Sequence, residues 1–591
     1  MKIKYFFGIL IWFGLTENIA AQTTDVFTWW NPARNAFPVL EGQAWPVEVK
    51  SFYDRLPARA EQTVRKSVWN LSRHSAGLYI KFKSNASNIV VRYGVTSTGN
   101  FAMPHMPATG VSGVDLYAID HSGRWVWAPA KYTFGDTITY QFSNIEADRQ
   151  FKGRDCEFRL FLPLYNGVSW MEIGVPEGTT FIPLPLSEEK PVVVYGTSIA
   201  QGGCASRPGM AWTAILERQL DYPLINLGFS GNGRLEKPVI DLMTEIDAKI
   251  YVLDCLPNLV NIPDKELETK IREAVKGLQS KRPSIPVLLV EHSLGAHSDI
   301  INAKRVEDCE RSTKVLQQTF AKLKDEGVKN IYILSSASLG MDINSTVDGS
   351  HPTDLGMKQH ADAYTKAIRD IVHEPANPAY TTTQPIVQTR DGYDWRARHN
   401  AILDLNKKSP PRNVIIANSI IHYWAGEPKD PIARGEDSWN RYLAPLDLRN
   451  MAFGWDRIEN ALWRVYHGAL NGYTAKHVAV MIGTNNLSIN SDKEIIAGLK
   501  LLVEAIQLRQ PETAILLSGI FPRRNMEKRV KKINEEITKL ATAMKITYIN
   551  PGQVLLTATG KIDESFFSDG LHPNAAGYNK LAPVLAAYLK K

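Results

Sequence analysis

The chain reads as an α/β protein: an antiparallel β-sandwich followed by two units in which helices flank both faces of a parallel sheet. Three observations predict this. Between residues 27 and 186, apolar and polar residues alternate in short runs separated by Gly, Pro, Asn and Asp. At Pro191 the texture changes to unbroken apolar runs, beginning Pro-Val-Val-Val-Tyr-Gly, spaced by helical segments. Near residue 411 that second texture starts again. A length of 591 residues fits roughly three or four domains of about 100–200 residues each. Hydrophobic residues at 44% and charged residues at 22% exclude a disordered or fibrous chain.

The first segment carries Lys2 and Lys4, an apolar stretch over residues 5–15, then Ala20 and Ala21 ahead of Gln22. This is the pattern of a secretory signal over residues 1–21, and it predicts an exported protein, periplasmic or extracellular. An uncleaved membrane anchor is the alternative; the absence of a Cys after the apolar stretch argues against a lipid anchor. No later stretch approaches the ~20 apolar residues that cross a bilayer, so no stable membrane insertion is expected. The net charge of +7 is spread without basic runs, too dilute for nucleic-acid binding.

In the sandwich region (27–186) strands are expected at 77–83, 88–95, 114–119, 132–142 and 156–164. Trp29, Trp30, Trp45, Trp125, Trp127 and Trp170 are either a sugar-stacking surface or core packing. The first α/β unit (190–372) has buried-strand runs at 250–253, 287–290 and 331–334 and helical patterns at 212–220, 270–278 and 311–326. Residues 373–410 read as a Pro/Thr-rich linker and a lead-in helix. The second unit (411–591) has strands at 413–417, 478–482 and 514–518, a helix at 493–507 and a closing helix after Pro573. Cys156, Cys204, Cys255 and Cys309 show neither CxxC spacing nor a neighbouring His cluster, which argues against a zinc site. They are too few to staple the fold, and their pairing is not deducible from sequence.

The two α/β units carry the same residues in the same order. In the first, Ser198 follows the opening strand, and Asp348 and His351 lie three apart near the end. In the second, Ser419 follows the opening strand, and Asp569 and His572 lie three apart. Ser198 precedes His351 by 153 residues, and Ser419 precedes His572 by the same 153. A hydroxyl is a poor nucleophile at neutral pH and needs an adjacent base, and the base needs a carboxylate to fix its tautomer. A parallel sheet brings such groups together at the carboxyl ends of its strands. A lone Ser after a strand is ordinarily a helix cap; the ordered set, repeated at equal separation, points to nucleophilic catalysis. Between nucleophile and base, Gly231 and Asn258 in the first unit, and Trp455 and Asn485 in the second, are candidate donors to an oxyanion, with the backbone N–H of each Ser.

The order Ser, Gly, Asn, Asp-x-x-His resembles the SGNH (GDSL-type) hydrolase superfamily over residues 190–372 and 411–591. The resemblance implies flavodoxin-like α/β/α folds. The first unit, with Gly-Thr-Ser-Ile-Ala-Gln-Gly-Gly and Gly-Phe-Ser-Gly-Asn-Gly, is similar to a bacterial branch whose hydrolase follows a β-sandwich bearing Gly-x-Asp-Leu-Tyr; Gly113-Val-Asp-Leu-Tyr117 matches that motif. The second unit, with Gly483-Thr-Asn-Asn486, is similar to the platelet-activating-factor acetylhydrolase branch. It departs from the family at Asn418, where Asp is usual, and at Trp455, where Gly is usual, so it is either active or a degenerate substrate-positioning module.

The resemblance implies an exported serine esterase that removes O-acetyl groups from oligo- or polysaccharides with no metal or organic cofactor. The alternatives are a sialate O-acetylesterase, a lysophospholipase or thioesterase with the same triad, and a glycan-binding protein with inert hydrolase modules. His422 and Trp424 either line the acyl pocket or pack the first helix, Arg523 and Arg524 either hold an acidic sugar or are solvated, and His292 reads as a satisfied polar group.

Overall fold

The computed structural model describes residues 26–146, 155–293, 300–375, 378–390 and 392–591; the signal segment read at residues 1–21 lies outside the described residues. The sandwich comprises β1 (Phe27–Trp30), β2 (Leu40–Glu41), β3 (Tyr79–Ser84), β4 (Asn88–Val95), β5 (Asp115–Ile119), β6 (Trp125–Ala128), β7 (Ala130–Thr133), β8 (Ile138–Ser143), β9 (Cys156–Phe161), β10 (Val168–Pro176) and β11 (Phe181–Pro183). One sheet runs β1-β10-β4-β8-β7; the other runs β11-β3-β9-β5-β6, with β2 against β3. Ile80, Phe82, Val91, Tyr93, Leu116 and Ile173 fill the space between them. The run expected at 132–142 is two strands, because the chain reverses at Gly135-Asp136 and β8 returns antiparallel to β7. β10 escaped the period-two reading because its register shifts between Val168 and Trp170, which breaks the alternation.

The first α/β unit has β12 (Val192–Gly196), β13 (Leu224–Gly228), β14 (Ile250–Asp254), β15 (Val287–Val290) and β16 (Ile331–Leu334) in the order β13-β12-β14-β15-β16. The second has β17 (Asn413–Ala417), β18 (Leu448–Ala452), β19 (His477–Met481), β20 (Ala514–Ser518) and β21 (Thr547–Ile549) in the order β18-β17-β19-β20-β21. Both are parallel sheets of flavodoxin order, whose crevice lies outside the carboxyl ends of the first and third strands. β12 and β14 are fully buried, as unbroken Val/Ile/Leu/Tyr runs require when helices cover both faces.

Within the stretch read as a linker, residues 378–390 pack down. Thr382, Thr383, Gln388 and Arg390 are buried, and the Thr382 hydroxyl donates to the Glu494 carbonyl at 2.6 Å. The lead-in helix is Trp395–Lys408. The sandwich, both α/β units and this helix meet at Asp221, whose carboxylate accepts from Arg159 of β9 (2.8 Å), Arg396 (2.7 Å) and the Trp463 indole (3.1 Å). Burial there raises its pKa, but Arg396 and Arg159 outweigh that and hold the carboxyl well below the ordinary Asp range.

The Gly-x-Asp-Leu-Tyr segment docks the sandwich on the first unit. Asp115 accepts from Arg207 (2.5 Å), the Gly209 backbone N–H (3.0 Å) and the Trp127 indole (2.7 Å). A Cβ at Gly113 would lie 2.3 Å from the Thr109 carbonyl oxygen, so no other residue fits that position without a shift. Cys204, Cys255 and Cys309 are buried free thiols.

Candidate active site

Ser198 opens the short helix Ser198–Gln201 immediately beyond β12, and Ser419 opens Ser419–His422 beyond β17. Each helix is capped by the preceding side chain: Thr197 accepts from the Ile199 N–H at 3.3 Å, Asn418 from the Ile420 N–H at 3.0 Å. A neutral Asn performs this cap as an Asp would, so Asn418 leaves the nucleophile's backbone setting intact. Ser198 and Ser419 are nearly buried, 8% and 5% exposed, at the floor of the crevice.

The Asp-Gly-x-His segments fold into matching turns. Asp348 Oδ1 accepts from the Ser350 (3.0 Å) and His351 (2.8 Å) backbone N–H groups. Asp569 Oδ1 accepts from Leu571 (2.9 Å) and His572 (2.7 Å). The intervening Gly349 and Gly570 have φ of +85° and +80°, conformations that suit glycine. Oδ2 of each Asp lies 2.7 Å from Nδ1 of its His. That contact assigns the proton to Nδ1 and leaves Nε2 as acceptor, 2.8 Å from Ser198 Oγ and 2.9 Å from Ser419 Oγ. Partial burial raises both Asp pKa values, yet the bonds from His and the turn N–H groups hold them down to about 2. Each carboxylate therefore stays charged wherever the imidazole must be steadied.

The oxyanion candidates occupy equivalent loops. Gly231 has φ +67° and Trp455 φ +60°, the same left-handed conformation. In the first unit Ser230 N–H donates to Gln201 Oε1 at 3.0 Å, and Gly233 N–H donates to Asn258 Oδ1 at 3.2 Å. With Oδ1 engaged, the remaining polar end of Asn258 is its N–H₂ donor. In the second unit the backbone-holding task passes to Asn486, whose Oδ1 accepts from Ile458 N–H at 3.1 Å. Asn485 donates one N–H to the Asp456 carbonyl at 2.9 Å and has a second to offer.

The structure joins Ser, His and Asp of each triad by hydrogen bonds, sets the oxyanion candidates on the two neighbouring loops, and adds residues that sequence reasoning missed. From the sandwich, the Tyr165 hydroxyl donates to the Ser198 carbonyl at 3.3 Å, and the His105 ring lies 6.0 Å from that of His351. Arg55, fully buried, donates to the Gly228 carbonyl at 2.9 Å, and Arg65 to Asn232 Oδ1 at 2.9 Å. In the second unit Gln388, Arg390 and Trp395 take this part. Gln388 donates to the Gly454 carbonyl (2.9 Å), Arg390 to the Trp455 carbonyl (3.1 Å), and the Trp395 indole to Asp456 (2.7 Å). No local motif marks these residues, since each acts on a loop 33 or more positions away. Of the residues given bland readings, His422 is buried and accepts from Gly454 N–H, Trp424 is core, and Arg523 and Arg524 contact the Thr484 carbonyl and Glu564.

A hydroxyl, an imidazole with its tautomer fixed and a charged Asp, below a positive-φ loop and a carboxamide, are the parts of a serine hydrolase, here present twice in one chain. Family models agree: the GDSL-like Lipase/Acylhydrolase family matches residues 189–369 and 418–580, and an N-terminal module of SGNH-hydrolase-type esterases matches residues 27–181. A crystal structure of a GDSL-like lipase from Bacteroides ovatus is 31% identical, with a TM-score of 0.53, covering 59% of this chain and 98% of that one. Platelet-activating factor acetylhydrolase IB subunit alpha1 of Rattus norvegicus is 25% identical over 36% of this chain and 90% of its own length. The alpha2 subunit of Bos taurus is 26% identical over 32% of this chain and 81% of its own length. The chain belongs to the SGNH/GDSL hydrolase superfamily, as a hydrolase of the esterase type with two tandem modules behind a GxDLY-type sandwich.

Proposed function

We propose that this is an exported serine esterase whose two modules each remove O-acetyl groups from carbohydrates. The observation that carries the reading is the repeated Ser–His–Asp chain of contacts, 2.8 and 2.7 Å in the first module and 2.9 and 2.7 Å in the second. Ser198 or Ser419 Oγ attacks the ester carbonyl while His351 or His572 Nε2 takes its proton. Asp348 or Asp569 holds the imidazole and stabilises its cationic form. The backbone N–H groups of the Ser and of Gly231 or Trp455, with the Asn258 or Asn485 amide, receive the oxyanion. The imidazolium then protonates the departing sugar alkoxide, leaving an acyl-enzyme. Water deprotonated by the same His releases acetate and restores Ser.

The acetylhydrolase names of the platelet-activating-factor relatives support a short acyl group. They also favour a second reading, in which one module takes an acetylated lipid alcohol in place of a sugar.

The test is acetate release from acetylated xylan, mannan, pectin, sialoglycan and an acetylated lysolipid, by the wild type, Ser198→Ala, Ser419→Ala and the double variant. The expected result is release from at least one glycan, divided between the single variants and absent in the double. Release from the lipid alone selects the second reading. Release that survives the double variant removes both triads from the chemistry.

A further inference from the structure

The outward face of the sandwich sheet β1-β10-β4-β8-β7 carries two indoles laid flat on glycines. The register pairs Trp170 with Gly94 and Trp29 with Gly174, so all four share the face opposite the buried Met171, Ile173, Val91 and Tyr93. A Cβ at Gly94 would fall 2.4 Å from Trp170 Nε1, and one at Gly174 would fall 2.8 Å from Trp29 Cε3. Each ring therefore lies down on its strand only because the residue beneath lacks a side chain. Trp170 is 39% exposed, an unusual state for a ring that could have packed inward. Between the two rings, Arg92 stacks on Trp29 at 3.5 Å from the ring centroid and pairs with Glu172 at 3.1 Å. The Trp170 and Gly174 positions are four residues apart on β10, ~13 Å at ~3.3 Å per residue, so the strip has the reach of an oligosaccharide.

We infer that this face is a glycan-binding platform separate from both hydrolase sites, with Trp170 as its stacking ring and Arg92 and Glu172 as hydroxyl partners. The chemistry of the face selects that occupant. A sugar ring offers a C–H face to an indole and hydroxyls to charged donors and acceptors at its rim. A protein partner would want a continuous apolar centre depleted of charge, whereas here an ion pair sits in the middle and Gln141 and Thr139 continue the face beside it. The other tryptophans are held elsewhere: Trp45 is core, Trp30 packs on Phe181, Trp125 lies under Arg159, and Trp127, though 44% exposed, lies on the other sheet under Arg207 with its indole N–H on Asp115.

The platform is tested apart from the esterase by native gel electrophoresis of the full chain through arabinoxylan, galactomannan, mixed-linkage β-glucan or polygalacturonate. Retardation is expected in at least one gel, unchanged in the Ser198→Ala/Ser419→Ala variant. Trp170→Ala should weaken it about tenfold or more, Gly94→Val should do the same by displacing the ring, and Trp127→Ala should leave it intact. Thermal unfolding of each variant separates lost binding from lost folding, and Gly94→Ala substitutes for any variant that fails to fold. No retardation in any gel, or retardation that survives both platform variants, overturns the proposal. So does a change of oligomeric state in Trp170→Ala by sedimentation, which would make the face a protein contact.

Discussion

The two hydrolase modules share a sheet order, a triad and a Ser-to-His spacing, yet they hold the oxyanion loop by different means. The first sets glycine at the left-handed position and steadies the loop with Gln201 from within and Arg55 and Arg65 from the sandwich. The second sets Trp455 there and clamps the loop carbonyls with Gln388, Arg390 and Trp395 from the segment that joins the modules. The cores diverge as well. Counting from the helix caps Thr353 and Asn574, His360 of the first module stands where the second has Leu581. Asp254 and Met481 occupy the same register beside the first strand. Geometry around the reacting atoms is what both modules keep; how that geometry is supported is free to change.

The largest expected effect tests whether both modules work. Asp348→Asn measured in a Ser419→Ala background, and Asp569→Asn in a Ser198→Ala background, should each lower kcat on an aryl acetate by ~10⁴, since Asn presents the wrong partner to Nδ1. A loss in the first pair with no basal activity in the second would make the second module a positioning domain and break the symmetry.

The core difference predicts a pH effect that can be traced to one buried pair of the first module. Burial pushes His360 down to about 4 and Asp254 up to about 7. The depressed His is neutral when folded and charged when unfolded below pH ~6.5, so it costs stability as pH falls from ~6.5 to about 4. The raised Asp is neutral when folded and ionised when unfolded, so it costs stability as pH rises from ~3.9 to about 7. In the wild type the two slopes oppose. Asp254→Asn leaves the His360 slope alone, on the order of 3 kcal/mol over that window, and its Tm should drop relative to wild type as pH falls from 6.5 to 4. An unchanged difference in Tm across the range would sink this account.

The joining segment gives the next effect. Arg390 donates to the Trp455 carbonyl and, at 2.7 Å, to Asn460, so Arg390→Ala frees the loop that carries a proposed oxyanion donor. Loss of a well-placed donor costs 10²–10³ in kcat, and a loosened one should cost about tenfold to a hundredfold. Activity of the second module, read with Ser198 replaced by Ala, should lose kcat with little change in KM, and Arg390→Lys should restore part of it. Equal kcat in wild type and Arg390→Ala would reduce the segment to a tether.

Much of this was legible in the sequence, for identifiable reasons. Unbroken apolar runs at 192–196 and 414–417, each closed by a turn residue and a helical pattern, read as strands buried on both faces, and the repeated Ser…Asp-x-x-His order is anchored to their ends. What stayed hidden acts across long separations. The role of Arg390 depends on a segment whose Pro/Thr composition looks solvated but whose Thr382 and Gln388 are buried by contact with the second module. The sorting of the tryptophans depends on Gly94 and Gly174, whose meaning appears only when β10 is paired with its neighbours.

The smallest effect bears on the most conspicuous difference. A non-glycine residue in the left-handed region costs about 1–2 kcal/mol, and Trp455 holds φ +60° with its side chain 51% exposed, so little core burial offsets that cost. Trp455→Gly removes the strain but adds freedom to the unfolded chain, for a net gain of ~0.5–1 kcal/mol in stability. The backbone N–H stays in place, so kcat of the second module should move by less than about threefold. KM is the informative quantity: if the exposed indole borders the bound alcohol, KM rises while kcat holds. Gly231→Ala supplies the mirror experiment, because no atom lies within 4 Å of the added Cβ and only the φ of +67° resists it. It should lose ~1–2 kcal/mol with the first module's N–H still present. If instead Trp455→Gly lowers stability, the clamp from Arg390 and Gln388 needs the stiffness of a side-chain-bearing residue to hold the loop. The second module would then have replaced the family's glycine with a support of its own.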